Sequence, residues 1–142
     1  LVMIEGLIVT SLNHIEVDGG DVRHAMKVDD AGACGFGEAY FSEILPGSVK
    51  AWKRHKAMTL NLVVPIGAIK FVILDDRNED QISFEEIILS RDNYCRLTVP
   101  PMVWMGFQGV DASTSLLLNI ASIKHDPCEA DKKAISEIKY EW

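Results

Sequence analysis

The chain lacks a hydrophobic run long enough to cross a bilayer. Its longest, Leu116-Leu117-Leu118-Asn119-Ile120-Ala121, falls far short of the ~20 residues a spanning helix needs, so no membrane partner is expected. Cysteine is scarce: Cys34, Cys95 and Cys128 are odd in number and far apart. That excludes a disulfide framework and fits reduced thiols in a cytoplasmic protein. Positive charge is short as well, with 14 Lys and Arg against 21 Asp and Glu and a net charge of −7. A broad basic surface for nucleic acid is thereby excluded, although local cationic sites remain open. The first residues, Leu1 to Gly6, carry neither a charged n-region nor a long apolar h-region, so no secretory signal is expected. Repeats, low-complexity tracts and linker-like stretches are also missing, which makes one domain over residues 1–142 the natural reading. A chain of this length buries roughly two thirds of its unfolded surface and needs no staple to hold a core.

What the chain does have is a succession of short apolar or alternating runs cut by turn residues. They cover 7–12, 36–44, 59–64, 68–74, 83–89, 94–99, 104–108 and 115–123, all of strand length. The clearest alternation is Tyr94 to Val99, with Tyr94, Arg96 and Thr98 on one face and Cys95, Leu97 and Val99 on the other. Eight or nine such strands point to an all-β antiparallel sandwich or barrel. Only residues 129–137 have a composition that suits a helix, so a short C-terminal helix is expected there.

The most unusual local composition is Lys50-Ala51-Trp52-Lys53-Arg54-His55-Lys56, with four of the 14 basic residues in one short stretch. Period-2 geometry places Lys53 and His55 on one face and Trp52, Arg54 and Lys56 on the other. Such a cluster suits a phosphate or diphosphate held by Arg and Lys, and composition alone fits a solvated strand end equally. A second polar cluster, Lys124-His125-Asp126-Pro127, follows the long apolar strand. Its imidazole offers acid–base chemistry near neutrality, although neighbours in a strand point to opposite faces. The four histidines show no His-x-His or His-x-x-x-His spacing and there is no Cys-x-x-Cys pair, so neither a metal nor another cofactor is expected.

Six fragments, in order, resemble the dTDP-4-dehydrorhamnose 3,5-epimerase family of cupins. Asp21-Val22-Arg23 is similar to its Asp-x-Arg-Gly, with His24 in place of Gly, and Phe36 to Ser42 to its Phe-x-Gln-x-Asn-x-Ser strand. Val49 to His55 lies where the family has Val-Arg-Gly-Leu-His-Tyr-Gln, and Gly67 to Arg77 resembles its Gly-x-x-x-x-Val-x-x-Asp-x-Arg strand. Val99 to Phe107 resembles Ile-Pro-x-Gly-Phe-x-His-Gly-Phe, and His125 to Glu129 the Tyr-x-Pro-x-x-Glu ending. The resemblance covers about residues 20–130 and implies a cupin-type double-stranded β-helix, or jelly roll. It departs at the chemistry: Lys53 stands where the family has its basic His, His125 where it has its acidic Tyr, and Met105 where the second cupin motif has a His.

The resemblance implies an isomerase that binds a nucleotide-activated 4-keto-6-deoxy sugar and epimerises it at C3 and C5 for surface-polysaccharide biosynthesis. A non-catalytic sugar-nucleotide-binding cupin and a sugar 3,4-ketoisomerase are the alternatives. Catalytic candidates are Lys53, His55 and His125. Arg23, Lys50, Arg54 and Asn61 are candidates for nucleotide or diphosphate contacts, and Glu38, Tyr40 and Arg96 for lining the cavity. Lys53 could act as a base, if burial and its cationic neighbours favoured the neutral amine, or as a fixed cation beside an enolate or diphosphate. The resemblance further implies a homodimer, to which the strand-like segment Ile4 to Val9 could supply an exchanged edge strand.

Overall fold

The computed structural model describes residues 4–142. Ten of its strands form two five-stranded antiparallel sheets packed face to face. The first holds β1 (Ile8–Ser11), β9 (Cys95–Val99), β6 (Leu60–Ile66), β11 (Ser115–Ala121) and β4 (Glu38–Ile44), in that order across the sheet. The second holds β12 (Ala130–Lys132), β5 (Val49–His55), β10 (Trp104–Gly109), β7 (Ala68–Asp75) and β8 (Ser83–Ser90). A small hairpin, β2 (His14–Ile15) with β3 (Val22–Arg23), lies apart from both. This is the expected jelly roll. The expected N-terminal strand begins later, at Ile8, and pairs with β9 of its own chain, Ile8 opposite Thr98.

Alternation explains which residues fill the space between the sheets. On β11 every second residue, Ser115, Leu117, Asn119 and Ala121, is buried, and on β9 Cys95, Leu97 and Val99 join Leu60, Leu62, Val64, Ile69, Phe71 and Ile73 in one apolar cluster. β6 and β9 are buried on their other face too. There Asn61, Arg96 and Thr98 lie under the segment 24–32, to which Arg96 is tied through Ala25 O, Asp30 and Ala31 O at 2.8 to 3.1 Å. The turn from β6 into β7 is a single residue, Gly67, whose φ of +87° suits glycine.

Two local features shape the second sheet. Between β5 and β10 the pairing runs Met105 with Lys53 and then Phe107 with Lys50, so β5 carries one extra residue in a bulge at Ala51-Trp52. Gly106 faces that bulge, and a Cβ there would fall 2.6 Å from Ala51 Cβ and 2.9 Å from the Trp142 ring. The stretch 129–137 forms no α-helix. Two 3-10 turns, Pro127–Glu129 and Ile135–Glu137, bracket β12, because Ala130, Asp131 and Lys132 find pairing partners on the open edge of β5. Beyond β12 the chain crosses the outer face of the sheet. Trp52 donates its indole N–H to Ile135 O, and Ile138, Tyr140 and Trp142 pack with Trp52 and Trp104 into a second apolar cluster.

Candidate active site

A cavity of about 320 Å³ opens between the sheets, walled by β4 and β11 on one side and by β5 and β10 on the other. Its floor is apolar, built from Met58, Leu60, Val103, Met105, Phe107 and Leu117. Its polar side chains are Tyr40, Ser42, Lys50, Lys53, His55, Asn119 and Lys132. The bulge in β5 makes this set possible. A regular strand would turn Lys50 and Lys53 to opposite faces, whereas the extra residue turns both inward with His55 and leaves Ala51 and Trp52 to the outer cluster.

His55 is held by a residue from the far end of the chain. Its Nδ1 lies 2.7 Å from Glu129 Oε1, and the other carboxylate oxygen accepts the backbone N–H groups of Ala57 at 2.5 Å and Met58 at 3.1 Å. Burial would raise the Glu129 carboxyl, but the two N–H donors and the imidazole outweigh it and hold the group below the usual carboxylate range. An ionised carboxylate only accepts, so Nδ1 carries the proton and donates. Burial pulls the His55 imidazole below its ordinary 6.5, and the Lys53 charge acts in the same direction against Glu129. The ring is therefore neutral at neutral pH, and its Nε2 has no hydrogen-bond partner among the described residues, in a side chain that lines the cavity. This is the arrangement of a general base fixed in one tautomer by an acid partner.

Across the cavity, Tyr40 on β4 pairs in register with Asn119 on β11, and Asn119 Nδ2 donates to Tyr40 Oη at 3.0 Å. Burial pushes the Tyr40 phenol above 10, and the Glu38 charge adds to the effect. Lys50 reaches back to Glu43 O at 2.8 Å, and Lys132 is opposite Lys53 in the pairing of β12 with β5. Three lysines thus line one cavity in a chain of net charge −7.

Of the residues singled out in the sequence, Tyr40, Lys50, Lys53 and His55 come together here. The others are elsewhere. Arg54 points outward, bonded to Asp131 at 2.8 Å and stacked 4.7 Å over Trp104. Asn61 and Arg96 do not line the cavity: they bond to each other on the opposite face of their sheet, where Asn61 also accepts from Thr98 at 2.6 Å. The alternation correctly separated Arg96 from Leu97, but the polar face is covered by the 24–32 segment. Arg23 donates to Pro65 O at 2.9 Å and lies over the Tyr94 ring. Glu38 shares the face of Tyr40 on β4 outside the cavity lining. His125 is exposed on the loop after β11, near enough for its charge to act on His55 but not in the wall. Asn119, Glu129 and Lys132 were not singled out. A lone Asn within the apolar run of β11 was the available signal for the first, and the matched Glu of the ending motif for the second. Among the described residues, no group of three His, Cys, Asp or Glu side chains forms a metal-ligand set, and no helix is long and apolar enough to cross a membrane.

No family model matches the chain. It is 37% identical to a dTDP sugar isomerase from Desulfovibrio desulfuricans G20, whose crystal structure matches with a TM-score of 0.92 over 98% of this chain and 92% of that one. It is 30% identical over 100 residues to the probable low-salt glycan biosynthesis epimerase Agl13 of Haloferax volcanii. That match takes in 68% of this chain and 64% of the Haloferax protein, so the chain spans just under two thirds of that relative's length. A sugar 3,4-ketoisomerase from Thermoanaerobacterium thermosaccharolyticum, solved in complex with TDP, shares the fold at 17% identity, with a TM-score of 0.76 over 92% of this chain and 90% of that one.

Proposed function

The chain belongs to the family of cupin-fold dTDP-sugar isomerases and epimerases, and on that premise we propose that it binds a nucleotide-activated 4-keto-6-deoxy sugar and epimerises it at C3 and C5 for polysaccharide or glycan biosynthesis. The observation that carries this reading is the His55–Glu129 pair at 2.7 Å, opening onto the cavity that Tyr40 and three lysines share. The C4 ketone acidifies the C–H bonds on either side of it. His55 Nε2 removes a proton from one face of the ring, and the Glu129 carboxylate stabilises the imidazolium that forms. Lys53, next to His55 on the same face of β5, acts as a fixed cation for the enolate oxygen. Tyr40, on the opposing sheet, returns a proton to the other face of the carbon and regains one from solvent, to which it is 42% exposed. Lys50 and Lys132 hold the diphosphate. The base thus moves from Lys53 to His55, and the acid from His125 to Tyr40. Only protons move, so the reaction needs no redox partner.

A second reading is favoured by one feature: among the cavity-lining side chains, His55 alone has a carboxylate partner. A single base can carry a proton from C3 to C4 on one face, which is a 3,4-ketoisomerisation. Incubation with a dTDP-4-keto-6-deoxyhexose in heavy water separates the two. Deuterium at both C3 and C5 supports epimerisation, whereas migration of the carbonyl to C3 supports the isomerase. Binding without any deuterium in the sugar defeats both.

The homodimer that the family resemblance implies has an apolar face to bury. Phe41, 65% exposed, is opposite Leu118, and Ile66, 57% exposed, is opposite Leu116 on the outside of the first sheet. Light scattering of the purified protein reads that state directly.

A further inference from the structure

The short edge strand β12 serves the site twice: Lys132 lines the cavity, and Glu129, the residue before the strand, holds His55. Its two faces meet β5 with opposite electrostatics. On the outer face Asp131 is in register with Arg54, accepts from it at 2.8 Å and lies 3.9 Å from Lys56. On the cavity face Lys132 is directly opposite Lys53, and neither side chain has an ion-pair or hydrogen-bond partner among the described residues. Like charges directly opposite one another weaken an antiparallel pairing, here by a modest amount because Lys132 is exposed. Lys50 lines the same cavity and adds a third positive charge. A strand of three residues on a sheet edge opens locally far more readily than the sheet unfolds, so a modest bias is enough to move it. An anion beside Lys132 removes the repulsion, and opening of β12 would carry Lys132 away from that anion.

We propose that β12 is a strap fastened by the ligand's diphosphate: the anion held by Lys132 offsets its repulsion from Lys53, keeps β12 on β5 and thereby keeps Glu129 at His55. The proposal rests on the diphosphate role given to Lys132 above, and adds that binding of the nucleotide part assembles the base that acts on the sugar part. Such coupling is reciprocal. The factor by which the diphosphate suppresses opening of β12 equals the factor by which docked β12 strengthens diphosphate binding.

The test is amide hydrogen exchange, read by NMR on the full chain with and without dTDP, a probe that carries the diphosphate but no ketone. The reporters are Trp52 and Lys133, whose N–H groups donate to each other's carbonyls at 2.9 and 3.0 Å, and Lys56, which donates to Glu129 O at 2.9 Å. Leu12, bonded to Tyr94 O at 3.1 Å just beyond β1 on the other sheet, is the control. Saturating dTDP should slow the reporters by about tenfold and leave Leu12 unchanged. Lys132→Gln should slow the same reporters without any dTDP, and dTDP should then add little. The wild-type comparison needs no variant, so it stands even if Lys132→Gln fails to fold. Calorimetric binding of dTDP with unchanged reporters, or with equal slowing at Leu12, would overturn the strap and leave the proposed function standing. A folded Lys132→Gln whose reporters exchange as fast as in the wild type would overturn it as well. If dTDP does not bind, the diphosphate role of Lys132 falls and this inference with it, while deuterium incorporation still judges the chemistry at the ketone.

Discussion

Glu129 accepts three hydrogen bonds at once, from the His55 ring and from the backbone of Ala57 and Met58, so one carboxylate sets both the tautomer of the base and the path of the chain leaving β5. Replacing it with Gln keeps the size but removes the charge that would stabilise an imidazolium. Glu129→Gln should lower kcat by about 10²-fold with a much smaller change in KM, and His55→Ala should lower it by about 10³-fold or more. Steady-state rates on the 4-keto sugar, with circular dichroism to confirm folding, check both.

The pH profile follows from the direction of the shifts. With neutral His55 as the proposed base, held below 6.5 by burial, kcat/KM should be flat through neutrality and fall on acidification with a midpoint below 6.5. Tyr40 is raised above 10, so the loss of its proton should not limit the rate below that pH. Stability has the same sign. Glu129 is depressed in the folded state; its contribution is therefore complete above the unfolded carboxyl value and lost as pH falls through the lower folded one. His55 is depressed too, so the unfolded chain takes up its imidazole proton first and acid favours unfolding. Thermal melts between pH 3 and 8 should show stability rising with pH over that acid range.

Lys53 and Lys132 share the cavity face but carry different proposed roles. If Lys53 stabilises the enolate, Lys53→Ala should reduce kcat, whereas Lys132→Ala should mainly raise KM, and the KM effect should shrink as salt is added. A salt series on the two variants separates these outcomes.

Arg96 makes the opposite prediction. It is fully buried and donates to Asn61, Ala25 O, Asp30 and Ala31 O, so Arg96→Leu should cost about 3 kcal/mol, as for a broken buried ion pair. Substrate KM should be unchanged in the fraction that remains folded. A normal melting temperature with a raised KM would place Arg96 in the site after all.

Strand length and alternation were enough to read an all-β sandwich or barrel, because burial between two sheets imposes a period of two that local sequence must obey; the jelly roll itself came from the family resemblance. The same period put Lys53 and His55 on one face and Arg54 on the other. It could not place Lys50, because the bulge opposite Gly106 reverses its face and depends on a close approach between strands β5 and β10. Nor could alternation say what covers a polar face, and Asn61 and Arg96 serve the loop above them rather than the cavity. Residues 129–137 favour a helix by composition, yet an unpaired strand edge has stronger demands than propensity. Glu129 had no local signal beyond the ending motif, since its partner is distant in the chain.

That distance of 74 residues between His55 and Glu129 has a consequence for how activity is acquired. The imidazole is synthesised early, but its carboxylate arrives only when β12 closes onto β5 and the aromatic clasp of Tyr140 and Trp142 settles over Trp52. A nascent or proteolytically clipped chain that ends before residue 129 would retain most of the barrel strands and lack the His55–Glu129 pair, so the proposed base is held in its tautomer only once the segment around residue 129 has docked.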